Sequence, residues 1–141
     1  TGDHAKLAEP CPLRILIAED NPVNQRVTAL LLQRMGYQPV VVTNGVEVLS
    51  LLEREKFDVI LLDVQMPEMD GLEAAREICR RYSNGERPWM IALTAHAVEG
   101  DKTDCLAAGM DDYLSKPLRS ASLEQALRNA HAHCRTGHAA D

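Results

Sequence analysis

Aromatic residues are scarce. One Phe, one Trp and three Tyr make up 4% of 141 residues. A core with so few rings has to be aliphatic, drawn from the Leu, Val, Ile, Ala and Met of the 45% hydrophobic fraction. Positive charge is short as well: 15 Lys and Arg face 21 Asp and Glu, for a net −6. That sign argues against nucleic acid, or an anionic membrane surface, as a partner held by charge. No apolar run approaches the roughly 20 residues of a membrane span, and no secretory signal is present. The four cysteines (Cys11, Cys79, Cys105 and Cys134) stand far apart with no C-x-x-C pair. This excludes a zinc cluster or a dithiol redox motif and fits reduced thiols in a cytosolic protein.

What remains is enough chain for one domain with a real core. Residues 1–12 read as a linker, 13–134 as the folded domain and 135–141, "RTGHAAD", as a disordered tail. A chain starting at Thr1 instead of Met is expected to be a piece of a longer one. Within the domain, short β-rich runs alternate with helical patterns. The strands are expected at Arg14–Ala18, Gln38–Thr43, Phe57–Leu62, Trp89–Leu93 and Asp112–Leu114. Their apolarity is continuous, as in parallel strands covered on both faces.

Helices fill the gaps. Asn21 caps the first, with Pro22 in its first turn and Gly36 as its stop. Val23, Val27, Leu30, Leu31 and Met35 fall on it at helical spacing and are expected in the core. The second runs over Gly45–Arg54 with Val48, Leu49, Leu51 and Leu52 inside. The third starts near Gly71 and sets Leu72, Ala75, Cys79 and Tyr82 on one face. The fourth covers Val98–Ala108. The fifth covers Ser120–Cys134, with Leu123, Leu127 and Ala130 inward. Strands alternating with helices give an α/β domain with a parallel sheet, and right-handed crossovers put helices on both faces.

Ligands of such sheets bind beyond the carboxyl ends of the strands, and there the polar residues gather. The first strand ends in Glu19-Asp20, the third in Asp63, and the fourth in Thr94-Ala95. Ser115-Lys116-Pro117 follows the fifth. Three carboxylates at one rim repel one another. A hard cation relieves them, and Mg²⁺ takes a few carboxylate oxygens while keeping positions for water or phosphate. Lys116 balances the remaining charge, and the Thr94 hydroxyl has a hydrogen bond to offer a ligand oxygen. The pattern therefore points to Mg²⁺ with something phosphate-like.

With Glu19-Asp20, Asp63 followed by "VQMPEMDG", Thr94-Ala95 and Lys116-Pro117 in this order at matching strand ends, the sequence closely resembles the receiver domains of two-component response regulators. The resemblance covers about residues 13–133. It implies a flavodoxin-like receiver fold, a five-stranded parallel sheet of order 2-1-3-4-5 with five helices on both faces. It implies Asp63 as phosphoacceptor, and Glu19, Asp20, Asp63 and the Gln65 backbone carbonyl around Mg²⁺, with Mn²⁺ as a substitute. Thr94, the Ala95 N–H and Lys116 would hold the phosphoryl group, with a cis bond from Lys116 to Pro117. Thr94 and Tyr113 would form a conformational switch. Gln65 and His96 occupy positions that tune acyl-phosphate lifetime. Pro67, Asp70 and Gly71 are read only as builders of the turn.

The stretch "EDNPVNQRV" looks most like receivers attached to hybrid sensor histidine kinases. The expected function is thus a bacterial phosphorelay module. It would accept a phosphoryl group from a histidine kinase domain and pass it to a histidine-phosphotransfer domain. No nucleic acid or direct membrane contact is expected. The location is cytoplasmic, including the cytoplasmic part of a membrane-anchored kinase. The alternatives are a stand-alone regulator that signals by docking, a Mg²⁺-dependent aspartyl-phosphate phosphatase and a flavin-binding module. The phosphatase would need a second acid where Gln65 stands. The flavin module would need a Ser/Thr/Gly phosphate loop where "EDNPVN" stands.

Overall fold

Alternation along the strands decides the layers. Leu16, Ala18, Ile60, Leu62, Met90 and Ala92 face one way; Ile15, Ile17, Val59, Leu61, Ile91 and Leu93 face the other, and all of these are buried. In the computed structural model, which describes residues 12–66, 68–82, 86–95 and 99–140 (side chains of 99–102 and 133–140 apart), ten elements alternate. They are β1 (Ile15–Ala18), α1 (Pro22–Arg34), β2 (Val40–Val42), α2 (Gly45–Leu52), β3 (Val59–Asp63), α3 (Gly71–Arg81), β4 (Trp89–Thr94), α4 (Glu99–Ala107), β5 (Asp112–Ser115) and α5 (Ser120–Ala140). The sheet is parallel with order β2-β1-β3-β4-β5, as the resemblance implied. Val48, Leu49, Ala74, Ala75, Ile78 and Cys105 of α2, α3 and α4 cover one face. Leu32, Leu123, Ala126, Leu127 and Ala130 of α1 and α5 cover the other. Among the described residues, no helix is long and apolar enough to cross a membrane.

The helix faces correct two expectations. On α1, Val23, Val27 and Leu30 are 68%, 43% and 48% exposed, whereas Met35 is buried and Leu31 packs on the core as expected, joined there by Thr28 and Leu32. The helix carries apolar residues on two faces, and periodicity alone does not say which meets the sheet. On α3, Ala75 is buried and Leu72 and Tyr82 pack on the core as expected, with Ala74 and Ile78 beside them, while Cys79 is exposed. Alanine at 74 lets the helix sit close to the sheet and rotates Cys79 off the core.

The ends of elements differ too. β2 is confined to Val40–Val42 because Pro39 has no N–H to give the ladder. β3 extends through Asp63 itself. The α5 backbone is helical through Ala140. Once a packed stem has nucleated a helix, each added residue needs only propagation, and alanine favours it. Residues 1–11, Pro67, His96 and Val98 lie outside the described residues.

At the end of the sheet opposite the polar strand ends, the Arg87 guanidinium forks onto both Asp111 oxygens, at 2.9 and 3.1 Å. Asp111 also accepts the Met90 N–H at 2.9 Å, and both side chains are 14% exposed. Asp111→Ala would remove the fork from the guanidinium and leave the Met90 N–H without its acceptor. It is expected to lower stability by about 2–3 kcal/mol, read as a drop in the urea midpoint.

Candidate functional site

Parallel strands with right-handed crossovers bring every carboxyl end to one rim, so residues from four strands converge. β1 runs into Glu19 and Asp20, with the Glu19 N–H still bonded to the Val42 carbonyl at 3.0 Å. Asn21 then turns the chain into α1 by accepting the Val23 and Asn24 N–H groups. Asp63 closes β3 and Thr94 closes β4. Lys116 follows β5, tied by its N–H to the Thr94 carbonyl at 2.7 Å. Its bond to Pro117 is cis.

Glu19, Asp63 and Thr94 are buried, at 1%, 5% and 4% exposure. The Lys116 ammonium lies 3.0 Å from Glu19 Oε1 and 3.0 Å from Asp63 Oδ2. The other Asp63 oxygen accepts the Gln65 N–H at 3.1 Å, and the other Glu19 oxygen accepts the Asn21 N–H at 3.2 Å. These groups, with Asp20, Asn24, Ala95 and the chain from Val64 to Met66, line a cleft of about 510 Å³. The structure thus brings together Glu19, Asp20, Asp63, Gln65, Thr94, Ala95 and Lys116. Tyr113 stands outside the cleft. It is half-buried and packs on the sheet face that carries Ala92, its register partner. Two residues on, Thr94 shares that face.

The electrostatics are unbalanced. Carboxylate oxygens of Glu19, Asp20 and Asp63 lie within 4.8 Å of one another, with one ammonium among them. Burial, then the neighbouring Asp63, push Glu19 up to about 7 against the lowering pull of Lys116 and the Asn21 N–H. Burial works against the Lys116 charge, but Asp63 and Glu19 outweigh it and hold its pKa above the usual lysine value. Glu19 Oε1 is buried with no hydrogen-bond donor aligned on it, although Lys116 is near. An acidic triad served by a single ammonium fits a hard divalent cation.

Several supporting residues escaped the sequence reading. Gly71 opens α3 with its N–H on the Val64 carbonyl at 3.1 Å. A Cβ there would stand 2.3 Å from the Asp63 carbonyl oxygen. Gly71 is therefore the back wall of the Asp63 strand end as well as a turn residue. Gln25 donates to the Glu19 carbonyl at 2.5 Å, and Asn24 lines the cleft. The three amides of "NPVNQ" were the available signal.

Because Glu19 is raised, its negative charge opposes folding in the absence of metal. That opposition is complete above about pH 7 and fades toward pH 4.5 as the folded state takes up the proton. Glu19→Gln is expected to stabilise the chelator-treated protein at pH 8 by about 1 kcal/mol, and by less at pH 5. Urea unfolding at the two pH values measures this.

Comparison with known proteins agrees with the geometry. Residues 15–128 match the family model described as "Response regulator receiver domain". Hybrid signal transduction histidine kinase H of Dictyostelium discoideum is 43% identical over 123 residues, 84% of this chain but 9% of that protein. Sensor protein GacS of Pseudomonas syringae is 41% identical over 118 residues, 81% of this chain and 13% of GacS. The chain thus spans only a small part of these relatives. Among solved structures, the receiver domain of sensor histidine kinase PA1611 from Pseudomonas aeruginosa superposes with a TM-score of 0.77 at 44% identity. The match covers 85% of this chain and 98% of that one, and that structure has a magnesium ion coordinated in its active-site cleft. The receiver domain of Ssk1, crystallised with the Saccharomyces cerevisiae histidine phosphotransfer protein Ypd1, gives 0.76 at 28% identity, covering 85% and 89%. The chain belongs to the response regulator receiver domain family of two-component signalling, and it is homologous to the receivers of hybrid histidine kinases.

Proposed function

We propose that this chain is the phosphoacceptor module of a hybrid-kinase phosphorelay. It takes a phosphoryl group from a kinase phosphohistidine onto Asp63 in a Mg²⁺-dependent reaction and yields it to a histidine-phosphotransfer domain. The observation that carries the reading is the Lys116 ammonium, 3.0 Å from both Glu19 and Asp63 in a cleft with room for a further anion. Phosphoryl transfer asks a protein mainly for alignment and charge neutralisation. An Asp63 oxygen forms the new bond to phosphorus. Lys116 meets one phosphoryl oxygen, and the Thr94 hydroxyl and Ala95 N–H meet others. Asp20, Asp63 and the Gln65 carbonyl, with Glu19 beside them, would hold Mg²⁺, which when bound neutralises charge at the incoming group.

Partner access has its own support. Val23, Val27 and Leu30 lie at i, i+4 and i+7 on α1, exposed, beside the cleft mouth. An apolar stripe of this kind suits a partner helix. For output, Thr94 moving toward the phosphoryl group would leave space on the face it shares with Tyr113, and the ring would turn into it. A Tyr113 ring whose NMR environment is the same before and after phosphorylation would exclude that switch.

Incubation with Mg²⁺ and acetyl phosphate is expected to add one phosphoryl group by intact mass, and Asp63→Asn or chelation should abolish it. Sustained release of free phosphate through Asp63 would instead favour a phosphatase. Val27→Glu is expected to slow exchange with a histidine-phosphotransfer domain about tenfold, equivalent to roughly 1.4 kcal/mol. Labelling by acetyl phosphate should stay within twofold.

A further inference from the structure

Three carboxamides crowd residues 21–25 at the lip of the cleft, and two of them have structural tasks. Asn21 Oδ1 caps α1, accepting the Val23 N–H at 2.8 Å and the Asn24 N–H at 3.1 Å. Gln25 Nε2 donates to the Glu19 carbonyl at 2.5 Å. Asn24 is the third. It is partly buried and lines the cleft with Asp20 and Asp63. Among the described residues, no hydrogen-bond partner meets its carboxamide. Its carboxamide is not among the buried unpartnered groups, so water reaches it, and a ligand group at the cleft mouth can take that water's place.

The place of Asn24 on α1 says what that is. It follows Val23 by one residue and precedes Val27 by three, so it lies on the flank of the exposed stripe that borders the cleft. A partner helix laid along the stripe delivers its phosphorylated side chain to the cleft past Asn24. The neighbouring acids are already engaged: Lys116 lies against Glu19 and Asp63, and Asp20 belongs to the acidic triad.

We propose that Asn24 is a specificity-determining residue for nitrogen phosphodonors. Its carboxamide oxygen accepts the N–H of the incoming phosphohistidine in its ring-protonated form, at the nitrogen that carries no phosphorus. This rests on the phosphoacceptor reading above. In the transfer an Asp63 oxygen bonds to phosphorus, the P–N bond breaks, and its electron pair passes to the ring nitrogen. The second nitrogen keeps its proton, so the ring departs as neutral imidazole and no other proton moves. An acceptor on that N–H fixes the tautomer and holds the ring in line with Asp63. Acyl phosphates have no N–H to offer, so Asn24 separates the two donor classes.

The test compares phosphorylation rate constants with phosphoimidazole and with acetyl phosphate, both with Mg²⁺, for the parent chain, Asn24→Ala and Asn24→Leu. The ratio of the phosphoimidazole to the acetyl phosphate rate constant should fall about tenfold in both variants, the size of one hydrogen bond. A ratio that stays constant, even if both rates drop together, would show that Asn24 is structural and overturn the proposal. A parent chain that accepts phosphoryl from neither donor would overturn the phosphoacceptor reading, and this inference with it. Thermal melts of both variants check that the fold is kept.

Discussion

One ammonium stands among three carboxylates. Lys116 sits 3.0 Å from Glu19 and from Asp63, and Asp20 completes a triad whose oxygens lie within 4.8 Å. Side by side in a partly dry cleft, these acids repel one another far more than they would in water. Burial first, and the neighbouring Asp63 second, push Glu19 up to about 7. The arrangement is short of positive charge and holds an oxygen with no aligned donor. A hard divalent cation fits both features. A site built for stability alone would have replaced one of these acids with an apolar residue.

The rest of the molecule holds the acids where they are. A parallel sheet supplies the convergence, and the loop after Asp63 supplies the fixity. Asp63 Oδ1 is held by the Gln65 N–H, and the Val64 carbonyl by the Gly71 N–H. Farther along, the Met69 carbonyl accepts the Gly45 N–H at 3.0 Å. Glu68 adopts a left-handed φ of 64°, which disfavours a side-chain-bearing residue by roughly 1–2 kcal/mol. Asn44, the cap of α2, reaches Glu68 with its amide nitrogen at 3.4 Å. The segment that carries the Gln65 carbonyl is thus fastened to α2 on one side and α3 on the other. Such fastening turns a strand-end acid into a preorganised one.

Much of this was legible in the sequence, for definite reasons. Short continuous apolar runs bounded by turn residues suit strands covered on both faces, and "RILIA" and "DVILLD" point to the layered fold. A fold of that class sends strand-end residues to one rim, which makes Glu19, Asp20, Asp63, Thr94 and Lys116 readable as one site. Quantities that depend on rotation and close approach stayed hidden. The outward face of α1 and the inward face of α3 each differ from a plausible alternative by about one residue's turn, and helical spacing is indifferent to that choice. Gly71 looked like a turn residue because its 2.3 Å margin against the Asp63 carbonyl exists only once α3 has docked. Pro39 keeps β2 from starting before Val40 because it has no N–H to give the ladder.

The proposed phosphoacceptor role sets two opposed requirements. The acid must be dry enough for its charge to matter and open enough for a protein to reach it. Asp63 at 5% exposure and Glu19 at 1% meet the first. Exposed Asp20, Gln65 and Ala95 around the mouth meet the second. The α1 helix reconciles them. Its inner face, Thr28 and Leu32, is buried in the domain, while its outer stripe of Val23, Val27 and Leu30 is left uncovered. Uncovered valine and leucine beside a polar cleft are unfavourable for a monomer in water. They become favourable when an apolar partner face covers them, and their position brings that face to the cleft mouth, where Asp63 lies at the bottom. Between stripe and cleft stands Asn24, polar and unpaired among the described residues, at the point where the bound surface gives way to the reacting groups. Association by an apolar stripe is indifferent to chemistry, so discrimination among donors has to come from polar residues at that boundary.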